Sequence, residues 1–108
     1  MTEIASPALR YTNPNSDGLN FIKFDRAESN EHGSAVDLIV AASRLPLWTE
    51  SGRRCTQRMM ARIAEALRQN PGYEAVFVFP NLPAVSEALG FIEECGHKGK
   101  ISAGLHAP

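Results

Sequence analysis

Apolar positions along this chain fall into short blocks with different periods, and the period of each block predicts its element. Leu19 to Asp25 sets Leu19, Phe21, Ile22 and Phe24 beside polar Asn20 and Lys23. This is an imperfect alternation rich in Phe and Ile, and it predicts a strand. The next block, SAVDLIVAASRL, is a continuous apolar run, which suits a buried strand or a buried helix. Ser34 followed by Asp37, in the manner of a capping box, and the alanine content select a helix from about Ser29 to Arg44. Pro46 ends it, and Thr49 or Ser51 caps a second helix running to about Gln69. In that helix Cys55, Met59, Met60, Ile63, Ala64 and Leu67 recur at helical spacing and form the expected inward stripe. Asn70, Pro71 and Gly72 stop it.

EAVFVFP is apolar on both faces, as a parallel strand buried under helices is. Asn81 caps a third helix, and its first turn tolerates Pro83. Val85, Ala88, Leu89, Ile92 and Cys95 are its expected inner face, Gly96 ends it, and Lys100 to Leu105 returns as a last strand. The predicted class is α/β: a small parallel sheet of about three strands in the order β-α-α-β-α-β, whose final β-α-β portion implies a right-handed crossover. Residues 1–18 hold Pro7, Asn13, Pro14, Asn15, Ser16, Asp17 and Gly18 and read as a flexible tail, leaving residues 19–108 as a single domain.

Composition narrows the function classes without choosing among them. The chain has 108 residues, 44% hydrophobic and 21% charged, with a net charge of -1, which matches an ordinary globular domain with one core. Any binding surface must therefore be local. The longest apolar run, Val36 to Ala42, is far short of the roughly 20 residues of a membrane span, and the opening MTEIASPALR has no secretory pattern, so a cytoplasmic location is expected. Cys55 and Cys95 stand too far apart for a paired-cysteine metal motif and read as reduced, buried packing residues.

The stretch RMMARIAEALRQNPGYEAVFVFPNLPAVSEALGFIEECGHKGKISAGL, from Arg58 to Leu105, resembles the carboxyl-side lobe of type 1 periplasmic sugar-binding proteins and of the lactose-repressor family's effector domain. The likeness lies in the order of elements: a helix ending in Leu, an Asn-Pro turn, an Ala-Val-Phe strand, an Ala- and Leu-rich helix, then Gly and a basic turn into a strand. FIKFDRAESNEHGSAVDLI resembles the other lobe of the same family, and Trp48 stands where that family often has an aromatic residue. Together these stretches imply parts of two lobes with most of each missing. What the resemblance implies is a non-enzymatic, sugar-like ligand-binding or sensor module. It departs from the family at two places: Leu82 follows Asn81 where a ligand-contacting Asp is usual, and the last strand ends Gly104, Leu105, His106 in place of Gly-Phe-Asp.

Ligands of parallel sheets sit beyond the carboxyl ends of the strands. That rule points to Pro80, Asn81 and His106, with Asp25 and Arg26 beside them, and the resemblance adds Trp48; the candidate ligand-binding residues are Asn81, His106 and Trp48, with Asn81 read first as a helix cap. Arg54, Arg58 and Arg62 recur every four residues along the second helix and form a candidate basic face, read first as a solvated helix side and second as a nucleic-acid contact. Cys95 and His97 lack the partners of a zinc site or a Cys-His nucleophile. Neither phosphate-loop pattern, G-x-G-x-x-G nor G-x-x-x-x-G-K-[ST], occurs. The expectations are accordingly no catalytic residues, no metal and no cofactor, with self-association or a protein partner as the alternative to a small ligand.

Overall fold

In a computed structural model the described residues are 4–5, 7–12, 19–29, 36–42, 45 and 47–105. They form β1 (Ile4–Ala5), β2 (Ala8–Thr12), β3 (Leu19–Lys23), β4 (Arg26–Ser29), β5 (Val36–Ala41), α1 (Glu50–Gln69), β6 (Tyr73–Phe79), α2 (Leu82–Glu94) and β7 (Ile101–Leu105). Five strands make one sheet in the order β1-β4-β5-β6-β7, and β2 pairs with β3 as a separate ribbon. The class is α/β as expected, but the strand count and order differ from the expected β-α-α-β-α-β.

The carboxyl-side half follows its local signals. Thr49 caps α1, its hydroxyl accepting from the Gly52 amide at 2.9 Å, and Asn81 caps α2, its carbonyl oxygen accepting from the Ala84 amide at 2.9 Å. Gly72 and Gly96 take positive φ of 98° and 82°, which glycine adopts without strain, at the turns that follow α1 and α2. β5, β6 and β7 are mutually parallel. Both helices therefore lie in parallel crossovers, and both pack on the face that carries Leu38, Val40, Ala75, Phe77, Phe79 and Ile101.

Two expectations are corrected. The segment expected as a helix over 29–44 contains β5, and its residues 30–35, 43 and 44 lie outside the described residues. The physical reason is burial on both faces: Leu38 and Val40 join the core below while Ile39 is buried above, and β-branched Val36, Ile39 and Val40 suit a central strand. The stretch expected as a tail contributes β1 and β2, with Leu9 and Tyr11 buried in the common core.

β2 and β3 continue β1 and β4 through a bend. The Phe24 amide donates to the Pro7 carbonyl at 2.8 Å, and the Asp25 amide donates to the Ile39 carbonyl at 2.8 Å. At the corner the Asp25 carboxylate accepts from the Ala41 amide at 2.8 Å. The inner half of the ribbon thus joins the sheet while the outer half folds over α1. Its far end is tied to the end of that helix: the Gln69 amide group pairs with both the N–H and the C=O of Thr12 at 2.8 Å each, and the Asn70 Nδ2 donates to the Arg10 carbonyl at 2.7 Å. Two long side chains here do what a third strand would do, satisfying backbone groups at the ribbon edge.

The buried face of α1 is Gly52, Thr56, Met60, Ile63, Ala66 and Leu67. Cys55, expected in the buried stripe, is exposed, and Met59 is half-buried; both line the groove between α1 and β3 and stand beside the buried face. In α2 the dry face is Val85, Ala88, Phe91 and Ile92, with Leu89 largely exposed and Cys95 only partly covered.

Thr56 is 1% exposed and its hydroxyl has no hydrogen-bond partner among the described residues. A buried hydroxyl without a partner carries a desolvation cost of about 1–3 kcal/mol that an apolar group of the same shape avoids. Thr56→Val is therefore expected to raise the melting temperature by about 4 °C or more. Calorimetry showing a fall would mean that the hydroxyl is bonded in solution.

On the sheet face away from the helices, Glu28, Asp37 and Glu74 stand side by side on β4, β5 and β6. Burial, then Glu74, then Glu28 push the Asp37 carboxyl above its ordinary value, and its Oδ1 is buried without a partner. A carboxyl raised in the folded state binds its proton more tightly there than in the unfolded chain. Stability therefore falls as pH rises through the window between the ordinary and the raised value, and the cost is fully present above it. Asp37→Asn is expected to raise the melting temperature at pH 7, with the gain shrinking to nothing as the pH is lowered below the ordinary carboxylate range. A gain independent of pH would show that charge is not its cause.

Candidate functional site

The turn between β5 and α1 and the end of β6 enclose an apolar pocket of about 250 Å³. Its floor is Leu45, Leu47 and Phe79, its walls are Ala42, Pro80 and Ala84, and Trp48 and Glu87 stand at its margin. Leu45 and Leu47 are buried because the turn doubles back on the sheet, where the Leu45 amide donates to the Ala42 carbonyl at 2.9 Å. Trp48, next in line, is turned outward and is 78% exposed. Leu82, in the first turn of α2, is 66% exposed. Two large apolar side chains thus face solvent at one end of the molecule, beyond the carboxyl ends of parallel strands.

Arg53 holds this corner in shape. Its guanidinium lies 4.5 Å from the centroid of the Phe91 ring, reaches the Leu47 carbonyl at 3.5 Å, and pairs with Glu87 at 3.3 Å. The cation–π contact and the ion pair join α1 to α2 beneath Trp48. They also occupy Glu87, the only charged residue lining the pocket among the described residues.

Of the three candidate ligand residues, the structure sets Trp48 at the pocket and Asn81 at the start of α2, where its side chain is engaged as the cap and does not line the cavity. His106 lies outside the described residues.

The basic face divides. Arg54 pairs with Glu50 at 3.1 Å, a surface pair one helical turn apart, and so belongs to the helix's own charge pattern. Arg58 and Arg62 instead line a groove of about 370 Å³ between α1 and β3, together with Phe21, Lys23, Cys55 and Met59. Sequence reasoning passed over Phe21 and Arg10, which sit opposite each other across the ribbon. The alternation around Leu19–Asp25 was the available signal, since it sends Phe21 and Lys23 to the face opposite Ile22.

Cys95 is partly covered at the end of α2. Partial burial, with the Glu94 charge added, pushes its thiol above the ordinary value in spite of Arg53 nearby, which keeps it protonated at neutral pH. Among the described residues no cluster of His, Cys, Asp and Glu has the arrangement to hold a metal ion, and no helix is long and apolar enough to cross a membrane. Family models, curated proteins and solved structures offer no match to this chain. The fold and the two surfaces carry the functional reading on their own.

Proposed function

We propose that this protein is a non-enzymatic interaction module whose working surface is the apolar pocket beside Trp48, and that a second copy of the chain fills it. The observation that carries this reading is the pairing of an outward Trp48 with a pocket at its own foot. At about 250 Å³ the pocket is smaller than the roughly 300–1,000 Å³ of small-molecule sites and has room for one large side chain. Because knob and hole lie together, a two-fold contact places each Trp48 against the partner's pocket and closes the assembly as a dimer. Tryptophan is the residue most often found anchoring such contacts.

A sugar-like ligand, which the family resemblance implies, has less to support it. Hydroxyl groups need polar partners to replace their water, and Glu87, the one charged side chain lining the pocket among the described residues, is already paired with Arg53. Sedimentation equilibrium from about 1 to 200 μM tests the proposal, with a dimer of micromolar affinity expected. A monomer throughout that range overturns it, and a rise in melting temperature with a simple sugar would restore the ligand reading in its place.

A further inference from the structure

We infer that the groove between the ribbon and α1 binds single-stranded nucleic acid, stacking a base on Phe21 and holding the adjoining phosphates with Arg10, Arg58 and Arg62. This surface is separate from the Trp48 pocket and does not depend on it.

The strand pattern builds the first half of the site. In β2 and β3 alternate residues point away from the core, so Leu9, Tyr11 and Ile22 are buried while Arg10, Phe21 and Lys23 face outward. Arg10 and Phe21 are register partners, and the Arg10 guanidinium lies 5.7 Å from the centre of the Phe21 ring. Phe21 nevertheless remains 51% exposed. An aromatic ring on a strand, flanked by cations and open to solvent, offers a platform to any flat base.

The helix supplies the second half. Arg62 is fixed in the groove by donating to the Tyr11 hydroxyl at 2.9 Å and to the Phe21 carbonyl at 3.4 Å. These two bonds use part of its five-donor fork and leave the remainder for a phosphate. Arg58 has Cys55 Sγ at 3.5 Å as its neighbour. None of Arg10, Arg58 and Arg62 forms an ion pair with a described carboxylate, whereas Arg26, Arg53, Arg54 and Arg68 each do.

Charge is therefore sorted by location. The chain's net charge of -1 hides a groove whose lining, among the described residues, holds Arg58 and Arg62 and no carboxylate, while Glu28, Asp37 and Glu74 collect on the sheet face away from the helices. Mutual repulsion among clustered cations is a cost that an anionic ligand relieves. The exposed ring favours a single strand over a duplex, because paired bases keep their faces inside the stack.

The test is fluorescence anisotropy of a labelled oligothymidylate of about ten nucleotides with the full chain, over a range of salt concentrations. Neutralising about three phosphates gives an expected slope of log affinity against log salt of about -2. Phe21→Ala is expected to weaken binding roughly 5- to 150-fold. Arg58→Gln is expected to make the slope shallower by about 0.7. Both residues are exposed, and unchanged melting temperatures will show that the variants are folded. The inference is overturned by absence of binding at 100 μM protein in about 50 mM salt, where phosphate contacts are strongest. It is equally overturned if duplex of the same length binds as tightly, if Phe21→Ala leaves affinity unchanged, or if inorganic phosphate competes as well as unlabelled oligonucleotide, which would reveal a phosphate site without base stacking.

Discussion

Replacing Leu9 by alanine is expected to destabilise the protein by about 2–5 kcal/mol, a large share of the roughly 5–15 kcal/mol that holds a domain of this size together. Leu9 is buried on β2 in the same core as Met60, Ile63 and Phe77, and its neighbour Tyr11 is tied to α1 through Arg62. The cost comes from the lost transfer of the side chain from water and from the hole left between ribbon and helix. A substitution in a tail would change stability by less than about 0.5 kcal/mol. Urea denaturation separates the two: a midpoint that falls sharply with an unchanged slope means that the ribbon belongs to the cooperative unit. A midpoint equal to that of the parent chain would mean that the domain begins after the ribbon.

Trp48→Ala is expected to weaken self-association by about 2–4 kcal/mol, or roughly 30- to 1,000-fold, which moves a dimer of about 1 μM affinity to about 30 μM to 1 mM. The effect is large because an interface anchored by one indole per copy loses both anchors in a single substitution, by symmetry. The monomer itself should be indifferent. Trp48 is mostly exposed and precedes the helix, so its removal empties no core position. Sedimentation equilibrium of the variant beside the parent chain reads the change. An unchanged dissociation constant would place the contact elsewhere, and the open edge of β7 would be the next surface to test.

The elements that were legible in the sequence are those whose ends are marked by chemistry. Thr49 and Asn81 announce α1 and α2, Gly72 and Gly96 end them, and the apolar run of β6 between such markers leaves one reading. β5 was not legible because its apolar run fits a helix or a strand equally, and what decides is pairing with β4 and β6, which no local signal encodes. The ribbon was hidden for a similar reason. The turn formers from Asn13 to Gly18 mask it, yet Leu9 and Tyr11 alternate, and their burial depends on a helix distant in sequence. Cys55 lies one position from Thr56 on the buried face, and the apolar periodicity of α1 does not separate the two.

The surfaces divide along the same line. The pocket lies beyond the carboxyl ends of the parallel strands, a place that a β-α-β unit defines from sequence, with Trp48 at its margin. The basic groove was half visible. Arg58 and Arg62 recur along one helix, but the ring that gives them a purpose arrives from β3 through a hairpin register. Asn81 was correctly read as a cap, and that engagement is why it does not line the pocket.

Trp48 is the only tryptophan in the chain, so its fluorescence reports on the proposed contact without labelling. The most direct measurement is its emission spectrum as protein concentration is raised through the range in which sedimentation records the dimer. A shift to shorter wavelength that tracks the dimer fraction is the predicted result, because the indole leaves water for the partner's pocket. Emission that stays at the solvent-exposed position while the mass doubles would contradict it.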